Sequence, residues 1–391
     1  MVPLFHHYSS GAKWRGCLAV TNILILLLAC VRCAGQDPTA PKLTGVGFEG
    51  NYIAGKVFKH EAKFTLPIPD ISTGVDVNVL WHTHGKKDWQ QRRHYPRLGL
   101  GVIYINYGMD SVYGRMVGLY PNLTLPLIST RKMEWTLRIG DGIGYVTRQY
   151  SRINPTDTVN VAIGSRVNDL LMITTDIRYH INKHWDMQAG VNVTHISNGS
   201  VRKPNLGVNM AGGHIGIRYF PVTSTPAHIS RQLQPLGNRY LVQVRGGMSL
   251  VSAYTVGGPL YPVYVATGYV SRRWRSHNKV FAGIDYSYHT NIYAFLRNNE
   301  LATGREKQHS YKSAIVAGNE FLLGRVGISL QAGVYIKQAY LHSPDVYQKI
   351  TGSYYFVLRE QGPVKELFIY TSLKTHLSVA ELGELGLGIG L

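Results

Sequence analysis

Cysteine is almost missing from this chain. Its three copies, Cys17, Cys30 and Cys33, stand in or beside an N-terminal apolar stretch, so everything after residue 33 lacks a thiol for a disulfide or for thiolate-bound zinc. Long hydrophobic runs are missing as well. The most apolar stretch joins Cys17-Leu18-Ala19-Val20, across Thr21-Asn22, to Ile23 through Ala29, and falls well short of the ~20 residues that a spanning helix needs. Acidic residues are scarce: 22 Asp and Glu face 41 Lys and Arg, which leaves a formal net charge of +19. Nucleic acid is the usual partner of so basic a chain, but an exported protein, as the N-terminus described below suggests, seldom meets it. Neither His-Glu-x-x-His nor Gly-x-Ser-x-Gly occurs, and no phosphate-cradling glycine loop precedes a helix. His82-Thr83-His84 sets two imidazoles on one strand face, yet no carboxylate pattern accompanies them. No metal and no cofactor are expected.

What the N-terminus does contain reads as a secretory leader over residues 1–35. Lys13 and Arg15 precede the apolar stretch, and the small residues Cys33-Ala34-Gly35 come before Gln36. Leu27-Leu28-Ala29-Cys30 offers lipoprotein processing as the alternative.

The remaining residues point to strands. Glycine (42) and tyrosine (26) are abundant while mean hydropathy is only -0.08, as in strands that alternate between lipid and water. Segments of about ten residues with period-2 patterning recur from residue 42 onward, roughly 14 to 16 of them, separated by turns such as Gly85-Lys86-Lys87-Asp88 and Arg297-Asn298-Asn299-Glu300. Ile139-Gly140-Asp141-Gly142-Ile143-Gly144 reads as strand or turn. The last strand carries Leu385, Leu387, Ile389 and Leu391 on one face and Gly386, Gly388 and Gly390 on the other.

The fold class is therefore all-β, an antiparallel transmembrane barrel, with a secreted β-sandwich as the soluble rival. Phe220 through Pro226, followed by polar residues to Asn238, divides the strands into two sets of about eight. One barrel of 14 to 16 strands and two successive β units both fit, with boundaries at 36–220, 221–238 and 239–391. Ala189-Gly190 before Ser197-Asn198 is echoed at the same spacing by Ala282-Gly283 before Thr290-Asn291, which raises a duplication as one option. Basic clusters at Lys86-Lys87, Arg92-Arg93-His94 with Arg97, and Arg272-Arg273-Trp274-Arg275 are candidate contacts for phosphorylated head groups.

The chemistry concentrates between Trp185 and Phe220. Trp185, Met187, Ala189, Val191 and Val193 form an apolar face that continues, in two-residue steps, to His195 and Ser197. The next strand begins at Asn209 and returns with Ala211, Gly213, Ile215, Ile217 and Tyr219 on its odd face. A hairpin through 199–206 brings Asn209 to the rim that holds His195 and Ser197. A serine hydroxyl needs a base within hydrogen-bond reach, and the base needs a group that fixes its tautomer. Ser197, His195 and Asn209 suit these roles, provided the imidazole leans along the strand to cross the ~6.5–7 Å between alternate residues. Asn198, Gly199 and Asn205 are the nearby candidates for binding an oxyanion.

The run His195-Ile196-Ser197-Asn198, then Pro204-Asn205, Gly207 and Asn209, resembles the active-site hairpin of the outer-membrane lipid A 3-O-deacylase (PagL) family, also called acyloxyacyl hydrolases. The likeness is specific over 195–209, looser over about 74–220, and not legible after 230. It implies an eight-stranded barrel, which the remaining strands would follow as a second β unit, with Ser197 as nucleophile and His195 as base. Asn209 stands where the family has a glutamate; an amide orients a histidine but lends no charge to the imidazolium. The implied function is hydrolysis of an ester-linked acyl chain of lipid A, with lipopolysaccharide in the outer leaflet as partner and the bacterial outer membrane as location. The competing expectation is a non-enzymatic barrel, porin-like or part of an assembly apparatus.

Overall fold

The computed structural model describes residues 43–391 except 61–63, 152–159, 224–226, 234–239, 253–255, 275–277 and 378. The expected leader lies outside the described residues. Sixteen strands form two closed antiparallel barrels of eight. The first comprises β1 (Val46–Phe58), β2 (Ser72–His82), β3 (Arg97–Asn106), β4 (Arg115–Ser129), β5 (Met133–Val146), β6 (Val167–His180), β7 (Trp185–Ser197) and β8 (Val208–Tyr219), closed by β1 against β8. The second comprises β9 (Tyr240–Ser252), β10 (Leu260–Trp274), β11 (Asn278–His289), β12 (Tyr311–Leu323), β13 (Val326–Lys337), β14 (Val346–Leu358), β15 (Glu366–His376) and β16 (Val379–Gly390), closed by β16 against β9. Two short helices lie between strands, α1 (Asp88–Arg92) and α2 (Thr290–Asn298). Among the described residues no helix is long and apolar enough to cross a membrane.

The alternation read from the sequence is the alternation of the barrel walls. On β7, Met187, Val191 and Val193 face outward and are exposed, whereas Asp186, Gln188, Asn192 and Thr194 are buried inside. An outer surface of this kind, with Ile215 67% and Val191 59% exposed, is stable only against lipid. The inside of the first barrel is ionic. Arg138 pairs with Glu49 at 3.1 Å and with Asp76 at 2.9 Å, Arg178 reaches Glu49 at 3.0 Å, and His214 meets Asp176 at 2.6 Å. Each charge is desolvated, so the arrangement holds only because nearly every one has an opposite partner. In the second barrel Lys279 bridges Glu320 and Glu366 at 2.8 and 2.9 Å, and Lys349 bridges Asp285 and Glu384. The glycine face of β16 makes room for aromatic rings: a Cβ on Gly388 would stand 2.2 Å from Phe368 Cζ.

A single large barrel is therefore not formed. The ladder closes at β8 because β1 offers it a full-length edge, from Phe48 opposite Tyr219 to Phe58 opposite Asn209. The Ala189/Ala282 echo does not join equivalent strands, since β7 is seventh in its barrel and β11 third in the other, and Thr290-Asn291 opens a helix. The described part of 221–238 lies beneath the first barrel: Ile229 N–H donates to His84 O, and the Tyr95 and His228 rings stack at 3.8 Å.

The barrels touch at both rims. At one, Trp89, Leu98, Leu323 and Val326 form an apolar cluster, and Arg93 donates to Leu322 O (3.3 Å) and Asn278 Oδ1 (2.9 Å). At the other, the β7–β8 loop meets the ends of β9 and β16.

Candidate active site

His195 and Ser197 close β7 at the rim opposite Trp185, and Asn209 opens β8 directly across the ladder from His195. This register, forced by alternation on both strands, aims the three side chains to one face. Asn209 Oδ1 lies 2.5 Å from His195 Nδ1, and His195 Nε2 lies 3.0 Å from Ser197 Oγ. With Nδ1–H donating to the amide oxygen, Nε2 carries a lone pair and accepts the hydroxyl proton of Ser197. The imidazole does lean along the strand, and Gly207 is why it fits: a Cβ there would stand 2.8 Å from His195 Cε1, and its φ of +77° favours glycine in any case.

The β7–β8 loop is tied from within. Asn198 N–H donates to Asn205 Oδ1 (2.9 Å), and Asn198 Nδ2 donates to Ser165 Oγ (3.0 Å) and Arg202 O (2.9 Å). The Asn198 backbone donor is thus occupied. Asn205 Nδ2, by contrast, is buried without a hydrogen-bond partner among the described residues. Gly199 follows with φ +60° and is also buried. Ser197 itself is only 3% exposed.

Sequence reasoning missed two neighbours. His60, just beyond β1, sets its ring edge-on to His195 at 6.4 Å between centroids, and its Nε2 lies 2.7 Å from Leu206 O. Asp169 on β6 is the cross-strand partner of Ser197. Nothing local marks His60, which lies far upstream of the motif; Asp169 was legible only once β6 and β7 were in register.

The basic clusters sit away from Ser197. Lys86, Lys87, Arg92, Arg93 and His94 occupy the β2–β3 connection, and Arg272 and Arg273 the end of β10, all at the rim opposite Ser197. Arg97 is inside the barrel, 2.5 Å from Glu134; Arg93 holds the second barrel; Arg273 pairs with Glu360 at 2.8 Å. The reason is hairpin parity, because β2 runs away from the site and its following loop must lie at the far end. The β7–β8 loop that follows Ser197 carries two other cations, Arg202, exposed, and Lys203, whose half-burial lowers its pKa. His82 ends β2 with its ring against Phe220, and no group of three or more potential metal ligands exists among the described residues.

Comparison with known proteins gives two matches to family patterns. Residues 73–218 match "Lipid A 3-O-deacylase (PagL)" and residues 238–391 match "Acyloxyacyl hydrolase, C-terminal domain". The second covers the half in which the sequence shows no legible likeness. No curated protein matches the chain. Among solved structures, Neisserial surface protein A (NspA) aligns at 12% identity and a TM-score of 0.33, over 45% of this chain and 97% of its own. The outer membrane enzyme PagL aligns at 12% identity and a TM-score of 0.27, over 44% of this chain and 99% of its own. With one pattern matching most of the first barrel and the other all of the second, the chain belongs to the outer-membrane lipid A 3-O-deacylase (PagL)/acyloxyacyl hydrolase family.

Proposed function

We propose that the protein is a serine esterase that removes an ester-linked acyl chain from lipid A, the 3-O-linked hydroxyacyl group first among the candidates. The observation that carries this reading is the hydrogen-bonded series Asn209–His195–Ser197 on the lipid-facing side of a barrel rim, inside the family-matched region. A substrate anchored in the outer leaflet reaches such a serine without leaving the membrane.

In the first half-reaction Ser197 Oγ attacks the ester carbonyl carbon while His195 Nε2 takes its proton. The oxyanion accepts hydrogen bonds from Gly199 N–H and the unpartnered Asn205 Nδ2. Collapse breaks the bond between the acyl carbon and the sugar oxygen, and the imidazolium returns its proton to that oxygen. Water, deprotonated by His195, then attacks the acyl-serine; the bond between the acyl carbon and Ser197 Oγ breaks, the imidazolium returns its proton to Oγ, and the fatty acid leaves. Arg202 and Lys203 flank this position and suit the phosphates of the lipid A head group.

Mass spectrometry of lipid A from cells with and without the protein tests the reaction: loss of one acyl chain is expected, and an unchanged acyl count removes the reading. Ser197→Ala and His195→Ala are each expected to abolish that loss while the heat-modifiable barrel persists. Full activity in Ser197→Ala sinks the covalent mechanism.

A further inference from the structure

The loop that carries Gly199 does not rest on its own barrel alone. Ser200 Oγ donates to the Ala380 carbonyl at the start of β16 (2.5 Å), and the Ser252 N–H at the end of β9 donates to the Ser200 carbonyl (3.3 Å). A Cβ built on Gly199 would lie 3.6 Å from Leu373 Cδ1 and 3.7 Å from Gly383 N, which is ordinary van der Waals contact with β15 and β16. Three residues after the nucleophile, the chain is therefore gripped by the other barrel.

The backbone needs this grip. Gly199 (φ +60°) and Ser200 (φ +68°) are consecutive left-handed residues. Glycine accepts that conformation freely, whereas serine leaves it unless the surroundings hold it. Relaxation of Ser200 toward negative φ reorients the loop on either side, Gly199 included. The bonds within the first barrel fix Asn198 and Asn205, and among the described residues the Ser200 side chain has no hydrogen-bond partner other than Ala380.

We propose that the second barrel is a clamp on the catalytic loop, and that Ser200, held by Ala380 and Ser252, is a positioning residue that sets the Gly199 N–H for the oxyanion. The inference rests on the serine-esterase reading above and assigns the second barrel a part in it. A clamp of this kind acts on the transition state rather than on substrate capture, because the Gly199 donor matters when negative charge develops on the carbonyl oxygen.

The test uses the full-length protein in lipid A mixed micelles. Ser200→Ala is expected to lower kcat about tenfold with KM within about twofold, in line with the cost of small displacements in a reacting site. Labelling of Ser197 by an alkyl fluorophosphonate, whose phosphoryl oxygen occupies the oxyanion position, should slow by a similar factor. Ser200→Gly also lacks the hydroxyl but is at ease at positive φ, so its kcat should fall between the two. Wild-type kcat and labelling in Ser200→Ala, with Ser197→Ala inactive, overturn the clamp alone. Loss of the folded barrel in both Ser200 variants overturns it too, by making the residue structural. Full activity in Ser197→Ala overturns the serine reading and the clamp together.

Discussion

Asn209 is the residue on which the proposed chemistry turns. Its amide oxygen holds His195 Nδ1–H, which fixes the tautomer, but it offers no negative charge to the imidazolium that the proposed mechanism forms in each half-reaction. Asn209→Glu is expected to keep or raise the maximal rate. A carboxylate stabilises the protonated imidazole, so the histidine pKa rises and the acidic limb of the pH–rate profile moves to higher pH. Asn209→Leu leaves Nδ1–H unpaired and is expected to lower the rate roughly tenfold or more. Fatty-acid release measured between about pH 6 and 9 checks both, since that range brackets an imidazole titration. If neither substitution changes the rate, Asn209 does not orient the base, and Asp169 across the ladder becomes the carboxylate to examine.

At the scale of elements, the strands and the site loop make separate demands. The strands need a satisfied interior: Arg138, 1% exposed, is shared between Glu49 and Asp76. Arg138→Ala leaves two buried carboxylates short of a partner and is expected to cost about 3–5 kcal/mol, read as a lower urea midpoint for loss of the heat-modifiable form. A midpoint within error of the parent means water enters the barrel and screens the pair. The proposed head-group contact needs charge at the outer edge of the loop. The double variant Arg202→Glu, Lys203→Glu is expected to raise KM for lipid A roughly three- to tenfold at low ionic strength, with the difference shrinking as salt is added. An unchanged KM at low salt removes these two cations as head-group contacts.

The whole molecule is two eight-stranded barrels side by side, each filled by its own side chains. A barrel of this size has no room for an aqueous channel. Planar bilayers containing the protein are expected to stay electrically silent, and reproducible ion-selective steps would falsify this and revive the porin reading. Contact between the barrels at both rims gives the second one a structural hold on the first. At the far rim the hold is Arg93 and the Trp89 cluster, and at the near rim it is Ser200.

Alternation alone indicated roughly 14 to 16 strands, and sixteen form, because a lipid-facing wall admits no other period. It also put His195, Ser197 and Asn209 on one rim, since two-residue steps from Trp185 and back from Tyr219 leave no choice of face. The motif at 195–209 pointed to the family before any geometry was available. Tertiary structure decided the rest. Whether sixteen strands close once or twice depends on which edges meet, and period-2 patterning is the same in both cases. The basic clusters looked like head-group ligands in one dimension, but hairpin parity and closure put them at the far rim, within the barrel, or against its neighbour. His60 and Ser200 could not be read from the chain, because each gains its meaning from a partner more than a hundred residues away.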